Sequence, residues 1–130
     1  MEFNLKPGLK KEKSEQVTAN HTAVKYGSGG VEVYATPAMI GLMEGASLAA
    51  VDPHLPPGMA TVGTAIQVSH LAATPVGMTV RATAELLEIA GKKLTFRVEA
   101  FDEKEKIGEG THQRYIIELQ KFQQRAESKK

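Results

Sequence analysis

Glu44 is the one charge inside "ATPAMIGLMEGASLAAVD", residues 35–52, ahead of the Asp52 that ends it. A carboxylate two turns from either end of a helix caps nothing. Burying it unpaired is costly, so it must be paired, hydrogen-bonded, protonated or wet. Its neighbours Ile40, Met43, Ser47 and Leu48 give it no polar face. Either it faces a solvent gap on a packed helix, or it sits in an apolar cleft where desolvation raises its pKa. The cleft suits general-base or nucleophilic chemistry at neutral pH.

Three other residues join it. His70 falls by strand parity with Val68, Ile66, Thr64 and Val62, the face expected to pack on the helix. A lone histidine there is ordinarily a satisfied core residue, but the shared packing raises the prospect of a Glu44–His70 pair. Thr36 reads first as a helix N-cap, with Pro37 at the first helical position. Its hydroxyl would also lie beside the helix's positive end, placed to orient a nucleophile or act as one. Thr36 and Glu44 are separated by a helical rise of about 12 Å. One site using both needs a substrate that spans them or a dimer that joins them from two chains. Gly63 interrupts a β-branched strand, as a bulge, a close packing contact or a backbone N–H open to a ligand oxygen.

The remaining histidines carry less. His21 and His54 are expected to be exposed, and His112 lies on the last strand. The four histidines have no metal-binding spacing, so no metal is expected. "GSGG" at 27–30 lacks the lysine and the strand-to-helix frame of a phosphate loop.

The elements that must hold these residues follow from punctuation and alternation. Residues 1–14 read as a polar lead-in, 15–122 as one domain and 123–130 as a disordered polar tail. Strands are expected at 15–25 and, briefly, at 31–34. The helix should run from Thr36 to about Val51, ended by Asp52-Pro53. Apolar residues surround its axis, which predicts a buried helix, and Gly41, Gly45 and Ala49 form a stripe open to close approach. Strands follow at 60–71, 78–89, 94–102 and 107–122, at hairpin spacing, pairing antiparallel. An α+β architecture results, a sheet wrapped around one helix. A chain of 130 residues would leave part of the sheet and the glycine stripe uncovered, which predicts a homodimer.

Composition narrows the function classes. Sixteen basic and 15 acidic residues give a net charge of +1, which offers no broad electrostatic case for nucleic acid. Aromatics at 5% and no tryptophan argue against a base-stacking platform. No apolar run reaches the ~18–20 residues of a membrane span, and no secretory signal is visible at the N-terminus. With no cysteine, the fold uses neither disulfides nor thiolate-bound zinc, and a cytoplasmic protein is expected.

Three stretches in order, "VYATPAMIGLMEGAS", "TVGTAIQVSHLAATPVG" and "KIGEGTHQRYII", resemble the hotdog-fold acyl-CoA thioesterases, in their fluoroacetyl-CoA thioesterase-like branch. The resemblance spans roughly residues 15–120. It implies a hotdog fold, a dimer with two sites at the subunit interface, and a catalytic set on Thr36, Glu44 and His70 with Gly63 at the substrate carbonyl. No cofactor is implied. Fluoroacetyl selectivity does not carry over, because "KYGSGGVEVY" is glycine-rich and has only Tyr26 and Tyr34 as bulky groups. A short or medium acyl thioester is the expected substrate, with Arg114 and Lys92 considered for the CoA phosphates. The alternatives are a non-catalytic acyl-CoA or small-ligand binding module on the same scaffold, and a dimeric structural protein whose polar core residues only fix packing.

Overall fold

The computed structural model describes residues 3–130, so the first two residues of the expected lead-in lie outside the described residues. In chain order, strand β1 covers Lys10–Gln16, a short helix α1 Ala23–Tyr26 and the long helix α2 Thr36–Val51. Strands β2 (Met59–His70), β3 (Thr79–Ala90), β4 (Lys93–Phe101) and β5 (Lys106–Glu118) follow, and helix α3 (Leu119–Glu127) ends the chain. The strands form one antiparallel sheet in the order β1-β3-β4-β5-β2. The helix-and-sheet architecture is that of the hotdog fold.

Alternation sets which face of the sheet is inner. Val80, Ala82, Ala84 and Leu86 of β3 and Leu94, Phe96, Val98 and Ala100 of β4 are all fully buried. Met39, Leu42, Met43, Ala46 and Ala50 of α2 pack on that layer. Gly108 makes room for it, and Gly110 makes room for the neighbouring strand. A side chain at Gly108 would collide with Met39, and one at Gly110 with the β2 backbone and Val68. Tertiary packing therefore holds a helix that its own glycines weaken.

Several expectations are corrected. Residues 10–14, read as lead-in, belong to β1, which is ordered by pairing with β3 and carries "KKEKSEQ" on an exposed edge. A charged edge strand lacks the apolar alternation that would announce it. The strand expected at 15–25 ends at Gln16. Beyond it Thr18 and Thr22 cap two short helical turns, with the Thr22 side chain accepting from the Lys25 N–H. "VEVY" makes only isolated bridges, Thr22 to Tyr34 and Val33 to Pro75. The last strand stops at Glu118, and the tail expected to be disordered is helical through Glu127. Leu119 and Phe122 fall on one side of that helix.

Helix α2 is one-sided rather than wholly buried. Pro37, Gly41 and Leu48 are exposed and Glu44 is half-buried. The exposed stripe is as apolar or small as the buried one, so hydropathy could not distinguish them. Among the described residues nothing approaches Gly41, and Gly45 is covered by the Lys13 side chain rather than by another backbone. Among the described residues, no helix is long and apolar enough to cross a membrane.

Candidate active site

The N-cap of α2 lies one residue earlier than expected. Ala35 has the extended backbone of an N-cap, Thr36 is the first helical residue and Pro37 the second. Proline costs nothing there, since the first-turn N–H groups have no partner within the helix. The Thr36 hydroxyl is thereby released from capping. It lies 2.7 Å from Nδ1 of His70, the last residue of β2. Burial pushes the His70 pKa below the ordinary imidazole value, which keeps the ring neutral. Its other nitrogen, Nε2, is buried and has no hydrogen-bond partner among the described residues. A buried orphan of this kind calls for an explanation such as a missing ligand or water. A cavity of about 440 Å³ opens beside the pair, bordered by Tyr34, Ala23, Ala72 and Ser28. Tyr34 closes its inner side, with its hydroxyl donating to Glu15 Oε2 at 2.5 Å. Burial first, then that hydrogen bond, push the phenol's pKa up.

A second polar cluster lies further along α2. Residues Gly63 and Thr64 together oppose Arg114 of β5, so Thr64 is the extra residue of a β-bulge. The bulge reverses strand parity. Thr61 and Gly63 face inward before it, and Ile66, Val68 and His70 face inward after it. Val62 and Thr64 therefore do not share the His70 face, contrary to the simple alternation. At Gly63 three side chains converge. An added Cβ would stand 3.0 Å from Glu44 Oε2, 3.1 Å from His112 Cε1 and 3.4 Å from an Arg114 terminal nitrogen. Only glycine fits.

Behind them runs a buried chain of hydrogen bonds. Asp52 accepts from the Thr61 hydroxyl at 2.5 Å and from the Thr61 N–H at 3.2 Å. Arg114 donates from Nε to the Thr61 hydroxyl at 2.8 Å and from Nη2 to the Thr61 carbonyl at 3.0 Å. Its Nη1 lies 3.1 Å from His112 Nε2, and His112 Nδ1 lies 2.8 Å from the Ala65 carbonyl. Burial lowers the pKa of both His112 and Arg114. Among the described residues, no group of acidic, histidine or cysteine side chains is arranged to hold a metal ion.

The four residues picked from the sequence thus fall in two places within one chain. Thr36 meets His70, and Glu44 meets Gly63. No hydrogen bond or ion pair joins Glu44 to His70, and the carboxylate's surroundings are His112 and Arg114 rather than purely apolar. Arg114, considered for the CoA phosphates, is 5% exposed and occupied with Thr61, so it cannot serve as a surface contact. His21 is half-buried, with Nδ1 accepting from the Thr18 N–H, whereas His54 is exposed as expected. The reading of the sequence gives His112 a place on the last strand and no role. "IGEGTHQR" holds the signal: Gly108, Gly110, His112 and Arg114 alternate onto one face, so the two large polar side chains share the side of β5 that Gly108 turns to the helix.

Residues 17–120 match the family model of the fluoroacetyl-CoA-specific thioesterase FlK. The chain belongs to this family. The fluoroacetyl-CoA thioesterase of Streptantibioticus cattleyicolor is 50% identical over 98 residues, covering 75% of this chain and 70% of that protein. A solved structure of the fluoroacetyl-CoA thioesterase FlK superposes with a TM-score of 0.92 at 40% identity, covering 98% of both chains. A Thermus thermophilus protein of the thioesterase superfamily superposes at 0.87 with 28% identity, over 95% of this chain and 94% of that one. Membership places the chain among thioester hydrolases with the hotdog fold.

Proposed function

We propose that this protein hydrolyses a short or medium acyl-CoA thioester, as a homodimer with its sites at the subunit interface. In each site Thr36 and His70 come from one copy, and Glu44 and Gly63 from the other. The observation that carries the reading is the Thr36–His70 pair at 2.7 Å with an unpartnered Nε2 beside a cavity, in a chain of a thioesterase family. A point mutant of FlK has also been solved in complex with fluoroacetate and CoA.

The sheet's two edges support the dimer. β1 is guarded by lysines and glutamates, whereas "MATVGTAIQVSH" of β2 has an unpaired side with neither a full charge nor a proline along it. Such an edge is a template for another strand. Two β2 strands pairing antiparallel about a two-fold axis set residues opposite when their numbers sum to a constant. Opposed residues share a face, so with the axis at Gln67, Ile66 meets Val68 and the bulge at Gly63–Thr64 meets His70 of the second copy. The same operation brings Glu44 towards the second copy's Thr36 and covers the apolar stripe on α2.

In the reaction, an oxygen nucleophile adds to the thioester carbonyl carbon. It is either the Glu44 carboxylate itself or a water whose proton Glu44 takes. The carbonyl oxygen becomes an oxyanion, to which the Gly63 N–H donates; one such donor is typically worth about 3–4 kcal/mol of barrier. The carbon–sulfur bond breaks, and CoA leaves as its thiolate and takes up a proton. The water route gives the acid directly. In the Glu44 route a water then hydrolyses the acyl–Glu44 anhydride, freeing the acid and the carboxylate. His70 moves the proton and Thr36 fixes the imidazole. The acyl group occupies the cavity beside Tyr34. Purified protein incubated with acyl-CoAs of graded chain length, with free thiol followed, tests this reading. Turnover of short or medium chains is expected, and none on any thioester overturns it.

A further inference from the structure

His112 has no part in that scheme, yet its surroundings fix its chemical state. It is 1% exposed. The Ala65 carbonyl can only accept, so the Nδ1 facing it at 2.8 Å must carry a proton. The Arg114 guanidinium can only donate, so the Nε2 facing it at 3.1 Å must offer its lone pair. One form of imidazole satisfies both neighbours, the neutral Nδ1–H tautomer. An imidazolium would set an N–H against a guanidinium N–H. Burial, the largest influence, and Arg114 favour the neutral ring and lower its pKa, while the Ala65 hydrogen bond and Glu44 favour a charged one. Ala65 is the residue immediately after the bulge, and the Cε1 between the two nitrogens faces Gly63.

We propose that His112 is a positioning residue, which ties the bulge carbonyl of Ala65 to the Arg114 guanidinium and so holds Gly63 at its working distance from Glu44. The proposal rests on the thioesterase reading for its consequence, though not for its geometry. A bulged ladder lacks one residue's regular pairing, and the imidazole replaces it with a bond across the strands. Arg114 is in turn held by Thr61, and Thr61 by Asp52 at the end of α2, so the bulge is referred back to the helix that carries Glu44. His112 acts through Gly63 and needs no contact with substrate.

Three variants divide the two bonds. In His112→Asn the amide nitrogen takes the Nδ1 place and keeps the donor to Ala65. In His112→Gln the amide oxygen takes the Nε2 place and keeps the acceptor for Arg114. His112→Phe keeps neither. A displacement near 1 Å costs on the order of 100-fold in rate, so the Phe variant should lose about that much in kcat with KM changed only severalfold. Asn and Gln should each recover part of the loss. A Phe variant with parental kcat overturns the proposal. So do losses in all three that follow thermal stability alone. Imidazole nitrogen NMR on the parental protein is independent of activity and of whether the Phe variant folds. It should show Nδ1 protonated and Nε2 accepting at neutral pH. An Nε2–H tautomer or an imidazolium at neutral pH overturns the assignment. If the parental protein hydrolyses no thioester, the thioesterase reading falls, and the tautomer result still decides the geometry proposed for His112.

Discussion

The two ends of the site differ in how complete they are within a single chain. At the Glu44 end, Gly63, His112, Arg114, Thr61 and Asp52 form a closed polar network with little freedom left. At the Thr36 end, one hydrogen bond joins an exposed hydroxyl to a half-buried imidazole, and the second ring nitrogen has no partner among the described residues. The closed end is built to hold a carboxylate and a backbone glycine at a fixed separation. The open end is built to receive something. On the proposed reading, the closed end of one copy fills the open end of another where the unpaired strand edges meet.

The sharpest way to break this comparison is to remove one group from each end. Glu44→Ala and His70→Ala should each lower kcat by about 10³-fold, the scale of losing a positioned acid–base group. Both should elute as the same dimer in size-exclusion chromatography. Near-parental rates in both would mean that neither end is catalytic. Gly63→Ala tests the closed end alone. Its Cβ would press on Glu44 and His112, so we expect a loss of about 1–3 kcal/mol in denaturant unfolding, together with a marked fall in kcat. An unchanged unfolding midpoint would show that the cluster yields easily.

The open end should respond more gently at its hydroxyl. Thr36→Ala removes one hydrogen bond and should cost about tenfold in kcat, equivalent to roughly 1.4 kcal/mol, with Thr36→Ser restoring most of it. Equal rates for Ala and Ser variants would show that the hydroxyl is idle. The smallest effect is in pH. His70 must be neutral to take a proton, and burial holds its pKa below 6.5, so the acid limb of kcat/KM should lie below that value. The stability change has a definite sign. The unfolded imidazoles of His70 and His112 protonate first as pH falls through 6.5, so the unfolded state binds more protons and stability declines towards acid. A melting temperature that rises on acidification through that window would contradict the burial of both rings.

Much of the scaffold was readable because its signals are local. Pro37 near the helix start, Asp52-Pro53 at its end and strict alternation in β4 each depend on a few adjacent residues. The hotdog name came from three motifs in order, since periodicity alone describes only a helix and a sheet. What stayed hidden depends on partners distant in sequence. β1 is a strand because β3 holds it, and its own residues read as a solvated run. The bulge at Thr64 reverses which side chains face inward, and no local pattern in "TVGTAIQ" says which residue will be extra. Thr36 proved to be inside the helix rather than its cap, a shift of one residue that decides whether its hydroxyl is bound to backbone or free for His70. His112 and Arg114 look like surface residues until alternation places them on the inner face, where the distant Gly63 leaves them room.

Subunit mixing tests the composite site most directly. His70→Ala and Glu44→Ala proteins, each nearly inactive alone, are unfolded together and refolded as a mixture. A site shared between copies leaves each mixed dimer with one site bearing both changes and one bearing neither. Random pairing should then restore about a quarter of the parental activity. A mixture no more active than its two components would mean that each site lies within one chain, and would contradict a site shared between subunits.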